Sequence, residues 1–429
     1  MRLVEHEASA VLDHRLRRLF GSKTGLINDI RHIPPDRGHP DVVVATPTLA
    51  SVGRLYGDGT DLDLGVAGKG RSVRSAYLRA LGEGVERYCL CWPDREKIVR
   101  TTYAELADTD GVTVPEWRTL DVYGDRSGDG TLAPFDQAST VPWTRGTDLL
   151  SGEDVTLPAE LVWFRTGVLS DEPVHFPGSS NGVATGQSST TALVRALLEL
   201  IERDAFMRVW CRQQSPPSVD IEQFPAVDTF VSEVFTDAGP DVEVLALETP
   251  LDIPVVATVA TDFPDGSSFL VSASAALDPT DAMLDSLLEI GQGVGHLYEL
   301  GLEYDAEDID VSTVVDDLER NVAYYAAPAN FDEVAFLLEG EKAVPDPFSD
   351  ASTPESDRAT LARLYEQFAA FDATPIAVDV TTPDIREVGL CVTRVVAPSL
   401  VPLSPPACLP RTHPAFDGER VTDKPHPFP

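Results

Sequence analysis

The chain has 429 residues, 43% of them hydrophobic, with 70 acidic against 33 basic side chains and a formal net charge of −37. That length suits one large domain or two to three ordinary ones. The acidic excess repels nucleic-acid phosphates and anionic membranes, so neither is an expected partner.

The acid is spread along the chain rather than gathered in a tail, as on a surface adapted to high salt. No run approaches the roughly 18 apolar residues of a membrane span. The opening MRLVEHEASAVLDHRLRRLF lacks the apolar stretch and small-residue cleavage site of a secretory signal. Cys89, Cys91, Cys211, Cys391 and Cys408 include one close pair only, a poor zinc pattern, and fit a reducing cytoplasm.

In chain order, SAVLDHRLRRLF reads as a short helix, GSKTG as a turn and DVVVATPTLAS as a strand. GVAGKGRS is a glycine-rich turn opening a helix over 72–91, with Ser72 as N-cap and Tyr77, Leu81, Val85 and Tyr88 at helical spacing. Residues 98–180 read as strands and turns. A second glycine-rich turn, PGSSNGVATGQSS, opens a helix over 189–210 with an apolar stripe through Leu193, Leu197 and Val209. VEVLALE, IPVVATVATDF and SSFLVSASAAL read as strands, and DPTDAMLDSLLEIGQGVGHLYEL as a capped helix. Residues 340–357, turn-rich and acidic, read as a surface loop. A helix (RATLARLYEQFAAF) and two strands (TPIAVDVTT, VGLCVTRVVAPSLVPL) follow. Beyond Pro405 prolines are too frequent for helix or central strand. The expected architecture is a mixed α+β fold: a segment over 1–60 packed on a main domain over 61–404, and a proline-rich tail over 405–429.

Two of the helices carry one pattern. Arg79, Glu83, Glu86 and Arg87 recur 116 residues later as Arg195, Glu199, Glu202 and Arg203, each set after a glycine turn. Carboxylates at i and i+3 share a helix face and repel unless a cation lies between them. Mg²⁺ takes oxygen ligands, commonly one or two carboxylates plus substrate phosphates. A solvated face is the better reading of any single Glu-x-x-Glu, and the duplication with its glycine turns brings a metal–phosphate site level with it. GVAGKGRS fails the P-loop spacing because Lys69 is followed by glycine, and no G-x-G-x-x-G, H-E-x-x-H or G-x-S-x-G is present.

GKGRSVRSAYLRALGEGVERY and SSNGVATGQSSTTALVRALLELIERDA resemble the two signature segments of the YcaO family. LPAELVWF, DAMLDSLLEIGQ, VAYYAAP and VDVTTPDIREVGLCVTRVVAPSLVPL resemble its supporting segments, so the likeness covers residues 20–429. The resemblance implies an enzyme that uses ATP and Mg²⁺ to phosphorylate the oxygen of a peptide amide after a nucleophile has added to it. It implies Glu83, Glu86, Glu199 and Glu202 as metal carboxylates, and Asn181, Arg203, Arg87, Lys69 and Arg394 as nucleotide or phosphate contacts. Glu289 and Gln292 match positions near the site.

The ending PHPFP resembles the terminus of the azoline-forming branch. This implies a ribosomal precursor peptide as substrate, Cys, Ser or Thr cyclised to thiazoline or (methyl)oxazoline, and the Pro429 carboxylate acting beside Arg203 in catalysis. A stiff polyproline segment suits such placement. The chain is too short for the fused leader-binding domain of larger relatives. A separate E1-like or ThiF-like partner, a flavin dehydrogenase for later oxidation and a homodimer are expected. Two alternatives stand beside this: a thioamide-forming member using sulfide with a TfuA-like partner, and a nucleotide-binding scaffold without turnover.

Overall fold

In the computed structural model of the chain, the described residues are 14–35, 38–56, 64–123, 132–169, 173–236, 239–303, 318–348, 353–403, 405 and 408–428. Twelve strands among them form three sheets, antiparallel throughout. β1 (Ile27–Ile33), β2 (Val43–Leu49) and β3 (Gly68–Gly70) make a three-stranded sheet in that order. The largest sheet runs β4 (Val99–Thr102), β5 (Thr140–Asp148), β11 (Ile376–Asp379), β12 (Cys391–Val396), β7 (Val183–Gly186), and β6 (Asp154–Pro158) pairs with β5. β8 (Asp241–Ala246), β9 (Val255–Thr261) and β10 (Leu270–Ala275) form the third sheet with β9 central.

Six helices of nine or more residues pack on these sheets: α1 (Val73–Leu90), α2 (Ser189–Arg212), α3 (Pro225–Val234), α4 (Pro279–Glu303), α5 (Leu318–Ala326) and α6 (Asp357–Ala370). The period-two rule places them. Along β9, Val255, Ala257 and Val259 join the core under α2, while Val256 and Ala260 join the core under α4. A strand buried on both faces reads as VVATVAT, a nearly continuous apolar run. α1 buries Ala76, Tyr77, Ala80, Leu81, Val85 and Cys89 at helical spacing against β1, β11 and β12.

The mixed α+β fold is as expected from the sequence, with differences in detail. The turn GVAGKGRS contains a strand, β3, which pairs with β2, so one sheet joins residues on both sides of position 60. The second glycine turn likewise contains β7. β1 has no counterpart in the sequence reading. Of the expected N-terminal helix, Leu16–Leu19 is a 3₁₀ turn and the part before His14 lies outside the described residues. No described helix is long and apolar enough to cross a membrane.

Candidate active site

Both glutamate helices are launched in the same way. α1 leaves β3 through Ser72, whose hydroxyl accepts the Ser75 N–H at 3.2 Å in a reciprocal capping box. α2 leaves β7 through Ser188, whose hydroxyl accepts the Thr191 N–H at 3.1 Å. Glu83 then accepts the Ala67 N–H at 3.1 Å and pairs with Arg87 at 3.3 Å. Glu199 accepts the Gly182 N–H at 3.1 Å and pairs with Arg203 at 2.8 Å. Each first glutamate thus holds the loop before its own strand and the arginine one turn on. The sequence repeat is a repeat of hydrogen bonds.

The two halves also interlock. The Thr185 N–H on β7 donates to Glu86 of α1 at 2.6 Å, and its hydroxyl donates to the Gly82 carbonyl at 3.1 Å. Lys69, at the matching position on β3, pairs with Glu289 of α4 at 2.5 Å. Arg79 reaches Asp285 of the same helix at 2.6 Å. A third helix therefore pairs with both β3 and α1, and Gln292 lies one turn beyond Glu289 on it.

Burial, with Glu199 and Glu83 nearby, pushes Glu86 up to about 8 against the pull of the Thr185 N–H. Burial, then the Glu289 charge, holds Glu202 well above the ordinary carboxylate range. Glu199 is raised by burial, and Arg203 and Arg394 partly offset this. Crowded carboxylates that resist ionisation are a site short of positive charge. The donor set is oxygen only, which suits Mg²⁺ and not a thiolate- or imidazole-seeking metal. Among the described residues no three acidic, His or Cys side chains converge closely enough to chelate an ion unaided. A Mg²⁺ that keeps waters and phosphate oxygens as ligands fits that arrangement.

The arginines line one side. Arg203 donates to the Asn181 side-chain oxygen at 2.9 Å, and Asn181 in turn donates to the Leu403 carbonyl. Burial opposes the charge on Arg203, but Glu199, Glu202 and Glu289 outweigh it and hold its pKa up. Arg394 sits opposite Val183 in the β12–β7 register and donates to the Leu161 and Ser179 carbonyls at 3.0 Å. Burial lowers it to about 10.

The tail ends here. Lys424, Pro425 and His426 offer successive carbonyls to Trp210 Nε1 at 3.1 Å, Tyr325 Oη at 2.6 Å and Asn321 Nδ2 at 2.5 Å. Phe428 is buried against Phe206, ring centroids 4.7 Å apart, and lies 5.9 Å from the Arg203 guanidinium. Pro429 itself lies outside the described residues. Lys69, Glu83, Glu86, Arg87, Glu199, Glu202, Arg203 and Arg394 are near enough to bias one another's charge, and Asn181 bonds Arg203. The dedicated tail anchors Asn321, Tyr325 and Trp210 escaped the sequence reading, because nothing local marks a side chain that bonds a residue some hundred or more positions away.

Paired acidic helices with arginines one turn on, and no P-loop spacing in the sequence, make an α+β arrangement whose charges suit Mg²⁺ and phosphate. Residues 67–401 match the family model described as YcaO cyclodehydratase, ATP- and Mg²⁺-binding. The chain belongs to the YcaO family, and the family's cofactors are ATP and Mg²⁺. A heterocyclase solved with substrate and cofactor superposes with a TM-score of 0.75 at 21% identity, over 99% of this chain and 57% of that one. YcaO from Methanopyrus kandleri, solved with AMPPCP and Mg²⁺, gives 0.64 at 21% identity over 99% and 95%. An uncharacterised protein in the tfuA 3′ region of Rhizobium leguminosarum bv. trifolii is 28% identical over 49% of this chain and 53% of its own length. The chain's matches thus span about half the length of such curated relatives.

Proposed function

We propose that this protein is an ATP-dependent cyclodehydratase that forms thiazoline or (methyl)oxazoline rings from Cys, Ser or Thr of a ribosomal precursor peptide. ATP supplies the phosphoryl group that makes the amide oxygen a leaving group, and Mg²⁺ neutralises its charge. Glu83, Glu86, Glu199 and Glu202 hold the metal. Lys69, Arg87, Asn181, Arg203 and Arg394 would contact the nucleotide and its phosphates, and Arg203 would also act in catalysis. The tail orients the substrate nucleophile through the Pro429 carboxylate. A separate E1-like or ThiF-like protein presents the leader, a flavin dehydrogenase acts afterwards, and the enzyme works as a cytoplasmic homodimer.

The observation that carries this reading is the pinned tail, whose Phe428 packs beside Arg203. A frayed terminus would not have three buried donors assigned to three consecutive carbonyls. The relative in a tfuA region favours a second reading, sulfide-dependent thioamide formation with a TfuA-like partner. Phosphate release and peptide mass, measured in parallel with a candidate precursor and E1-like protein, separate the two. Loss of one water per ring, matched by phosphate and abolished in Glu199→Gln and in a deletion of Pro427–Pro429, supports cyclodehydration. Exchange of oxygen for sulfur, indifferent to the deletion, supports thioamidation. Nucleotide binding with no turnover under any condition leaves a scaffold.

A further inference from the structure

Between β12 and the tail, residues 397–403 read APSLVPL. Pro398 and Pro402 have no N–H to give, so the segment can continue neither a helix nor a strand ladder along its length. Within it, the Leu400 N–H closes one turn on the Ala397 carbonyl at 3.0 Å. Side chains from elsewhere in the chain fix the rest. His413 Nδ1 accepts the Ala415 N–H at 3.1 Å, which leaves its proton on Nε2, and Nε2 donates to the Pro398 carbonyl at 3.2 Å. Asn181 Nδ2 donates to the Leu403 carbonyl. Asp204 Oδ1 accepts the Val401 N–H at 2.7 Å. Of these anchors, Asp204 is a buried charge that the chemistry above leaves without a task.

Asp204 follows Arg203 in α2, has no exposed surface, and turns its second oxygen to Arg208 Nε at 2.7 Å. A buried ion pair is a poor stabilising device, and apolar residues of similar volume commonly do as well. This pair is also incompletely satisfied, because Arg208 Nη2 is buried without an acceptor among the described residues. What the carboxylate does supply is a fixed acceptor for a backbone N–H. The contacts close a ring: Asp204 holds Val401, Leu403 two residues on meets Asn181, and Asn181 meets Arg203, the chain neighbour of Asp204. In that ring the place of Asn181, and with it one arm of the Arg203 fork, depends on where Val401 is held. Resting on the assignment of Asn181 and Arg203 to the nucleotide, we infer that Asp204 is a positioning residue, which through Val401 sets segment 397–403 and so the Asn181–Arg203 contact. Leu400 and Val401 also border the cavity that Asn181, Arg203 and Arg394 share, so the same anchor shapes the wall of the nucleotide site.

The test separates the backbone anchor from the ion pair. Asp204→Asn and Asp204→Leu both lose the pair with Arg208, so both should melt at a lower temperature than wild type. Only asparagine keeps an oxygen for the Val401 N–H. Calorimetric titration of the full chain in molar KCl with AMPPCP and Mg²⁺ should give a Kd within about threefold of wild type for Asp204→Asn, and about tenfold weaker for Asp204→Leu. Phosphate release with a peptide that wild type processes should fall about 10²-fold in Asp204→Leu and far less in Asp204→Asn. Should Asp204→Leu not fold, Asp204→Glu replaces it: it keeps the charge but displaces the acceptor by a methylene, and the same weakening is expected. Wild-type affinity and turnover in folded Asp204→Leu or Asp204→Glu would overturn the positioning role. So would equal losses in Asp204→Asn and Asp204→Leu, since these would follow the ion pair and not Val401. The expected pattern of affinities in a protein that releases phosphate with no peptide sinks cyclodehydration and leaves the positioning role standing.

Discussion

Arg203 serves two neighbours with one fork: Nη2 meets Glu199 at 2.8 Å and Nη1 meets Asn181 at 2.9 Å. Lysine keeps the charge but offers a point rather than a plane, so it cannot hold both at once. Arg203→Lys should therefore retain its melting temperature yet release phosphate about 10²-fold more slowly, as expected when reacting groups are displaced by about an ångström. A stopped assay of inorganic phosphate measures this, and near wild-type turnover would remove Arg203 from the machinery. The paired glutamates behave differently because they are crowded acids. Burial raises Glu86, Glu199 and Glu202, and neighbouring carboxylates add to it at Glu86 and Glu202, so ionised carboxylates there are disfavoured in a way that a cation relieves.

At the scale of elements, two contrasts test how the halves are built. A Cβ on Gly68 would stand 2.1 Å from the Ala76 carbonyl oxygen and 2.2 Å from the Ala80 nitrogen, so β3 lies directly on the backbone of α1. Gly68→Ala must push strand from helix and should cost roughly 1–3 kcal/mol or more. Gly82, in the middle of α1, meets nothing within 4 Å, and Gly82→Ala should stabilise by about 0.5–1 kcal/mol. Urea midpoints of the two variants should move in opposite directions. The tail offers a pH test. His413 is 2% exposed, and its Nε2 lies 3.2 Å from the Pro398 carbonyl. Burial, with Arg208 adding to it, lowers its pKa from 6.5 to about 4. Folded protein then binds fewer protons than unfolded chain between those values, so stability rises with pH across the window and is lost on acidification. Between pH 7 and 5 His413 should account for roughly 2 kcal/mol of lost stability, a loss absent from His413→Gln. These elements were unequally legible. α1 and α2 announce themselves by apolar spacing, caps and a repeat of Glu-x-x-Glu-Arg. β3 and β7 have three and four residues, too few for alternation to show, and their glycines read as turns. β1, INDIRHI, interleaves charged residues with its apolar ones, and the pattern conceals it. Of the ten site residues named in the sequence, Pro429 lies outside the described residues and the other nine are linked by charge or hydrogen bonds, but contacts such as Thr185 with Glu86 join halves 99 positions apart and have no local trace.

For the molecule as a whole, the governing quantity is the charge of −37. Salt acts on it in two opposed ways. It weakens favourable pairs, and many of those described here are exposed: Arg118–Asp417, Arg386–Asp379 and Arg18–Glu387 each have both side chains more than half exposed. Such pairs contribute about 0–1 kcal/mol each, so their loss is small. Salt also weakens repulsion among 70 acidic residues that only 33 basic ones balance. Repulsion acts over many longer distances, and these are what screening removes first as the Debye length falls from about 10 Å at 0.1 M to about 3 Å at 1 M. The second effect should win, and a surface of this composition should gain stability where an ordinary protein gains little. The melting temperature should rise by at least about 5 °C between 0.1 M and 2 M KCl, a shift of several kcal/mol for a chain this long. KCl is the right salt for the measurement, because sulfate or phosphate would strengthen apolar burial in any protein and hide the charge effect. A flat or falling melting curve would mean that the acidic residues are not a high-salt adaptation and that their spacing on the folded surface already disperses the repulsion.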